Sequence, residues 1–336
     1  MVANSHILPL ETDIALGDLA AHAVAVGLPM NTPFRNTTLR EVMLLKGPAG
    51  WAEFSPFPEY GPDEAARWLS ATIEAGWYGW PEQVREVVPV NATVPAVAPN
   101  QVETVLARFG PVSAVKVKVA EDDVATDIAR VTRVRRLLPH ADIRIDANAK
   151  YTHDEAFDVI TALPFLEYAE QPVPGIEPLA QLRAALRDAG SEVLIAADEA
   201  VRKETDPLAV AQAQAADLIV VKVQPLGGVR RALSVVKQAG LDAVVSSALD
   251  SSVGIAGGVA LAAALPRLNH ACGLATAALF SAEPATPAIA NNGYLTPGPA
   301  PAPDPQLIEQ LKLPRDRQLW WQQRLAETHS QLTEKA

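Results

Sequence analysis

Five charged residues recur along the middle of this chain at nearly constant intervals. Lys118, Asp146, Glu170, Asp198 and Lys222 stand 28, 24, 28 and 24 residues apart. Each closes a short run of β-branched or small apolar residues, and amphipathic stretches lie between the runs. An interval of that length is one strand plus one returning helix, which places these residues at the same level of successive parallel strands. Strands are expected at 88–94, 114–119, 142–146, 165–169, 193–197, 218–223 and 243–246, with a weaker one near 271–275. Helices are expected at 122–138, 154–163, 178–189 and 229–239. Eight strand units in roughly 190 residues is the count and size of a closed (β/α) barrel, with an open doubly wound sheet as the competitor.

The strand period refines this expectation, because side chains two apart point the same way. In the Val115–Val119 stretch, Lys116 and Lys118 share a face and the three valines share the other. Arg144, Asp146 and Asn148 share a face opposite Ile143 and Ile145, and Val220, Lys222 and Gln224 share one opposite Val221 and Val223. Charge alternating with core valine suits a barrel whose lumen is wet at the top. The C-terminal ends of the strands are the catalytic face of such a barrel.

Asp146, Glu170 and Asp198 should therefore converge. Two unit charges about 4 Å apart interact by roughly 4 kcal/mol at an effective dielectric of about 20, so three carboxylates call for a cation among them. An all-oxygen set suits Mg²⁺, with Mn²⁺ as a substitute, and the lack of accompanying His or Cys counts against zinc. Lys116 and Lys118 flank that position from one strand and Lys222 from another. A neighbouring ammonium and partial burial lower a lysine's pKa, the direction a general base needs. A lysine base beside a carboxylate-bound metal is matched to removing a proton next to a carboxylate, a step that needs the developing dianion stabilised.

Composition narrows the partners. The net charge of −11 argues against nucleic acid, while the proton-abstraction chemistry calls for a small-molecule carboxylate substrate. The single cysteine, Cys272, excludes an internal disulfide and suits a reducing cytoplasm. The apolar stretch 14–30 contains Asp18 and His22 and reads neither as a signal peptide nor as a membrane span. The first thirty or so residues read as an extension without order. A small α+β region follows, with strands at 38–46 and 51–54 around a Gly47-Pro48-Ala49-Gly50 turn and a helix from Pro62 to Thr72. The proline-rich stretch 297–305 reads as a connector to one or two helices over 306–331, anchored by Trp320 and Trp321.

The pattern of Lys116-x-Lys118, Asp146-Ala147-Asn148, Glu170-Gln171-Pro172, Ala197-Asp198-Glu199 and Lys222-Val223-Gln224-Pro225-Leu226-Gly227-Gly228 resembles the enolase superfamily, more closely its muconate-lactonizing-enzyme subgroup. The resemblance covers nearly the whole chain and implies a modified (β/α)8 barrel with an α+β capping domain. The expected division is an extension and capping domain over 1–87, the barrel over 88–285, and a segment over 286–336 that packs on the cap. The stretches Phe54-Ser55-Pro56-Phe57, 88–96 and 246–254, with Arg144 two residues before Asp146, look like o-succinylbenzoate synthases of the short-capped actinobacterial kind.

That likeness implies dehydration of 2-succinyl-6-hydroxy-2,4-cyclohexadiene-1-carboxylate to o-succinylbenzoate in menaquinone synthesis. Lys118 would take the proton and assist hydroxyl departure, and Lys222 would hold its ammonium against the ring face. Asp146, Glu170 and Asp198 would hold the metal. Lys116, Arg144 and Asn148 would contact or orient substrate, and the Ser246, Ser247 and Ser251 loop would hold the succinyl tail. Asn91 is expected at the end of the first strand. Lys150 adds a charge near the site without an assigned role, and the loop closing on substrate should come from 28–36 or 54–60. N-succinylamino acid racemization, epimerization or cycloisomerization is the alternative on the same partial mechanism. A Schiff-base aldolase and a non-enzymatic binding protein are more distant readings.

Overall fold

The computed structural model of the chain describes residues 8–34, 37–201 and 206–334. A short helix, α1 (Leu16–Ala20), leads into three antiparallel strands, β1 (Val24–Phe34), β2 (Thr37–Gly47) and β3 (Gly50–Phe54), paired in that order. The expected unordered extension is therefore corrected: α1 buries Leu19, and β1 buries Ala25, Val26 and Leu28 while pairing with β2. Asp18 and His22, which set this stretch apart from a signal peptide or membrane span, sit on its exposed side. The predicted turn joins β2 to β3. Gly47 cannot carry a side chain there, since a Cβ would lie 2.2 Å from the carbonyl oxygen of Gly76. Helix α2 (Pro62–Ile73) starts with proline at its first position and Asp63 and Glu64 in its first turn, where the helix dipole favours acids. It buries Trp68, Leu69 and Ile73 and runs on into one wide turn over Glu74–Tyr78.

The strand–helix alternation follows. A short β4 (Val88–Pro89) precedes β5 (Ala92–Val94), α3 (Val102–Leu106), β6 (Ala114–Lys118), α4 (Val124–Leu137), β7 (Asp142–Asp146) and α5 (His153–Ala162). Next come β8 (Leu166–Glu170), α6 (Ile176–Asp188), β9 (Leu194–Ala197), α7 (Asp206–Gln212), β10 (Leu218–Val221), the single turn α8 (Val223–Leu226), α9 (Val229–Ala239), β11 (Asp242–Val245) and α10 (Ser252–Ala264). Strands β5 to β11 form one parallel sheet in chain order. The sheet closes through Cys272 and Gly273. Cys272 donates to Pro89 O (2.7 Å) and accepts from Asn91 (3.0 Å), while Gly273 donates to Val245 O (2.8 Å) and accepts from Ser247 (3.0 Å). This is the weak eighth strand, reduced to two bridging residues. Gly273 permits the approach, because a Cβ there would meet Ser246 Oγ at 2.7 Å.

Strand periodicity sorts the barrel core. Tyr168, Ala196, Leu218, Val220 and Val244 form a separate inner cluster, while the outward valines and isoleucines join the large core beneath the helices. After β12 (Tyr294–Leu295), which pairs with β4, the chain forms α11 (Pro305–Leu311) and α12 (Arg315–Glu334). Helix α12 packs on α2. Trp321 anchors it, donating to Glu41 (2.8 Å) and meeting the Phe54 ring edge-on at 6.0 Å. Among the described residues no helix is long and apolar enough to cross a membrane.

Buried carboxylates join the first layer to the barrel. Glu74 accepts from the backbone N–H groups of Val229 and Arg230 at the start of α9 and from the Arg230 guanidinium (2.8 Å). Replacing it with alanine would leave those donors without their partner in a buried interface. Glu74→Ala is expected to cost about 2–3 kcal/mol and Glu74→Gln less, read by denaturant unfolding. A loss below about 0.5 kcal/mol for Glu74→Ala would contradict this account.

Glu53 on β3 accepts from Ser55 Oγ (2.6 Å) and from the backbone (3.0 Å) and hydroxyl of Ser251. Burial, reinforced by Asp250, pushes Glu53 up from 4.5 to about 7. A folded state that keeps a proton the unfolded state has released is most favoured below about pH 4.5, and the advantage is lost as pH rises to about 7. Glu53→Gln should therefore lose less stability than the wild type between pH 5 and pH 7.5. Parallel pH dependences would contradict it.

Candidate active site

Register brings the charged residues together. Lys118 pairs with Asp146 between β6 and β7, and Asp146 pairs with Glu170 between β7 and β8. Asp198 follows β9, and Lys222 follows β10 in extended conformation. The Lys118 ammonium lies 2.5 Å from Asp146 and donates to the Asn148 side chain at 2.7 Å. The Lys116 ammonium lies 3.0 Å from Glu170 and 3.4 Å from Asp146. Lys222 is ion-paired with Asp198. All three carboxylates are buried.

Local backbone devices hold these groups. Gln171, at φ +37, accepts from the N–H groups of Asp198 and Ala200 (both 3.0 Å) and donates to Val173 O, tying the end of β8 to the end of β9. Asn148, in the left-handed region that Asn tolerates, donates from its backbone to Asp146 (3.1 Å) and from its side chain to Glu199 (3.0 Å). Beyond Lys118 the chain is fixed by a fully buried pair on α4. Arg130 donates to Lys118 O (3.0 Å) and Asp127 accepts from Ala120 N (2.7 Å).

The charges set one another. Burial alone would lower Lys116, but Glu170 and Asp146 outweigh it and raise the lysine instead. The expected downward shift of flanking lysines is thus corrected for Lys116, because the group beside it that dominates is a carboxylate. Burial pushes Glu170 up to about 7 with help from Asp146. Burial also opposes ionisation of Asp146, yet Lys118 and Lys116 leave it well below the usual carboxylate range.

The cleft over these groups, with its open mouth, holds about 420 Å³ of empty space. Ser246 and Ser247 line it, as do Phe57 and Leu249 from the expected loops, together with Thr93 and Thr276, to which the sequence assigns no contact. Thr93 shares a strand face with Asn91 two residues nearer the strand end, so periodicity could have found it. Thr276, bonded to Ser247 at 2.7 Å, follows the weak eighth strand, whose pattern is too short to show which way the residue after it faces.

Other expected contacts fall elsewhere. Arg144 lies one layer deeper than Asp146. It stacks on Tyr168 (4.7 Å), pairs with Glu167 and donates to Asn91 and the carbonyl of Ala271, and it does not line the cleft. Two residues back along a strand is about 7 Å down the lumen, and its guanidinium is held there. Asn91 is likewise committed, to Arg144 and Ala92. Ser251 caps α10 and bonds Glu53, away from the cleft. Lys150 pairs with Glu121 at the surface. Of the loops expected to close on substrate, 54–60 contributes Phe57. In 28–36, Asn31 bonds Phe280 O (2.8 Å), while residues 35 and 36 lie outside the described residues.

The donor set fits a hard divalent cation: three buried carboxylates, and no His or Cys in the lining. Among the described residues no three His, Cys, Asp or Glu side chains stand as they are in a group that could hold a metal ion, and the Lys116 ammonium lies between Asp146 and Glu170.

Comparison with known proteins agrees with this geometry. A family model described as Enolase C-terminal domain-like matches residues 98–301, and one described as Enolase N-terminal domain-like matches 25–76. The chain is 48% identical over 321 residues to the o-succinylbenzoate synthase of Mycolicibacterium smegmatis, covering 94% of this chain and 98% of that one. It is 49% identical over 316 residues to that of Mycobacterium ulcerans, covering 92% and 94%. In fold it is similar to the muconate lactonizing enzyme of Pseudomonas putida, with a TM-score of 0.70 at 18% identity, over 87% of this chain and 98% of that one. With a barrel domain matched over most of its length and relatives near half identical from end to end, the chain belongs to the enolase superfamily and, within it, to the o-succinylbenzoate synthases.

Proposed function

We propose that this chain dehydrates 2-succinyl-6-hydroxy-2,4-cyclohexadiene-1-carboxylate to o-succinylbenzoate. The observation that carries the reading is the cluster of Asp146, Glu170 and Asp198 with Lys118 reaching it from β6 and Lys222 from β10. The near-half identity to the mycobacterial synthases supports the choice of substrate.

Charge accounting favours a dicarboxylate. Three carboxylates and three ammonium groups balance in the cleft as it stands. A divalent cation adds two positive charges, and a substrate with a ring carboxylate and a succinyl carboxylate adds two negative ones. Counted with Lys118 protonated, cation and substrate together keep the site neutral, whereas either alone unbalances it in a buried place; the free amine that acts as base forms when that ammonium gives its proton to solvent.

Lys118, as the free amine, takes the proton from the carbon bearing the ring carboxylate. The electron pair left on that carbon moves into the ring and the C–O bond to the hydroxyl breaks. The ammonium formed on Lys118 returns its proton to the departing oxygen on the same face, releasing water and an aromatic ring. Lys222, held by Asp198, keeps its positive charge against the opposite face while the ring is electron-rich. Lys116 holds Glu170, and Asn148 orients Lys118. Asp146, Glu170 and Asp198 would hold Mg²⁺, which supplies positive charge to the carboxylate next to the carbon being deprotonated.

A second reading has a specific observation behind it. Lysines that approach one cluster from β6 and β10 also suit two-base racemization of an N-succinylamino acid. Assaying both substrates decides, and absence of the product's ultraviolet signal with the cyclohexadiene would overturn our choice.

Lys118→Ala should lower turnover at least 10³-fold and Lys222→Ala at least 10²-fold with the fold retained by circular dichroism. Near-normal turnover in either variant would remove that lysine from its role. Dialysis against EDTA should abolish turnover, Mg²⁺ should restore it, and calorimetry should register Mg²⁺ binding that Asp198→Asn weakens. Full activity in EDTA with borohydride trapping would point to Schiff-base chemistry instead.

A further inference from the structure

Leu249 adopts a left-handed backbone, φ +62, within the loop from β11 to α10. For a branched residue this backbone is strained and persists only where surroundings enforce it. The loop supplies Ser246, Ser247, Ala248 and Leu249 to the cleft. Its enforcing contacts come mostly from outside it. Leu249 O accepts from Arg40 Nε (3.2 Å), Ser251 N donates to Glu53 (3.0 Å), and Ser252 N donates to Glu283 (2.7 Å).

Arg40, on β2, is buried and does more than hold that carbonyl. It also donates to Ser55 O, and its guanidinium lies 4.1 Å over the Phe57 ring. Phe57 is the aromatic side chain that the first layer places in the cleft. It also bounds the adjoining hollow lined by Tyr60, Trp68, Pro225 and Leu226. A single guanidinium thus grips a barrel loop by its backbone and an aromatic ring of the other layer by its face. A lysine cannot reproduce this, lacking the planar fork that donates to two carbonyls while stacking.

We propose that Arg40 is a positioning residue for substrate: by locking Phe57 to the Leu249 carbonyl it sets the wall against which the part of the substrate remote from the reacting carbon is held. The identity of that substrate part rests on the function proposed above; the lock itself does not. The wall touches no reacting atom, so its loss weakens ground state and transition state alike, which appears in KM and not in kcat. Glu53 and Asp250, both buried nearby, balance the guanidinium. Asp250 accepts from Ala248 N (3.0 Å) and so bears on the same loop.

The test uses Arg40→Lys and Arg40→Met in the full chain with Mg²⁺. Both should raise KM for the cyclohexadiene at least tenfold and change kcat less than about threefold. In Arg40→Met/Phe57→Ala, KM should be no worse than in Phe57→Ala alone, since both act through one wall. Hydrogen exchange without ligand should show faster exchange of the amides over 247–252 in the Arg40 variants. Arg40→Lys keeps the buried charge and decides the matter if Arg40→Met fails to fold. An unchanged KM, a fall in kcat with KM constant, fully additive effects with Phe57→Ala, or unchanged loop exchange would each overturn the proposal. If the wild type itself does not turn over the cyclohexadiene, the proposed reaction fails, while the ligand-free exchange still decides whether Arg40 holds the loop.

Discussion

Three carboxylates at one level of a barrel lumen cannot all remain ionised unless cations lie among them, and the rest of this molecule is arranged around that constraint. Asp146, Glu170 and Asp198 are buried, so water cannot screen them. Lys116, Lys118 and Lys222 answer them, with contacts of 3.0 and 2.5 Å for the first two. The opposed directions of Asp146, driven down, and Glu170, driven up, follow from this arrangement. Asp146 takes two ammonium groups, while Glu170 shares one and has two carboxylates as neighbours. A cluster so poised has strong preferences about what enters it, since any added charge must arrive with its complement.

The first layer and the barrel are joined by the same kind of device used twice. Glu74 seats its carboxylate on the start of α9, and Glu53 takes the hydroxyl and backbone of Ser251, the cap of α10. Each places a negative group where a helix presents unsatisfied N–H donors, which is where burying an acid is least costly. These two helices follow β10 and β11, whose ends carry Lys222 and the cleft-lining loop. The layer therefore braces the part of the barrel where the loops after the strands are short of internal support. The opposite arc, β6 to β9, is braced from within by Arg130, Asp127 and Gln171.

Much of this was legible in the sequence. The charged positions were visible because a strand-plus-helix unit has a nearly fixed length and a strand has a period of two. Those two periods give both the level and the facing of Lys118, Asp146 and Glu170. The same periods misplaced Arg144, since facing inward does not distinguish the top layer of the lumen from the one below. Its partners, Glu167 and Tyr168, come from another strand. Ser251 misled for a different reason: a hydroxyl-rich loop reads alike whether it meets a ligand or caps a helix. The order of residues 8–34 was hidden because β1 is stabilised by pairing with β2 and by burying Ala25, Val26 and Leu28, contacts that a local pattern does not show. The closing pair Cys272–Gly273 was visible as a weak strand near 271–275, but its run is too short to carry a period, so the facing of Thr276 just beyond it emerges only from the closed sheet.

The chemistry of the cleft and the choice of substrate reside in different parts of this structure. A base on β6 and an ammonium after β10 can serve dehydration or racemization, since both begin by removing a proton next to a carboxylate. What separates such reactions is how the remainder of the substrate is held against that pair. Here that wall is made of Phe57 from one layer and Ala248–Leu249 from the other. A wall built across two layers can change shape without disturbing Lys118, Asp146 and Asp198, whose supports are internal to the barrel. A residue such as Arg40, which spans the two layers yet reaches no reacting atom, can therefore alter which substrate is held while leaving proton abstraction intact.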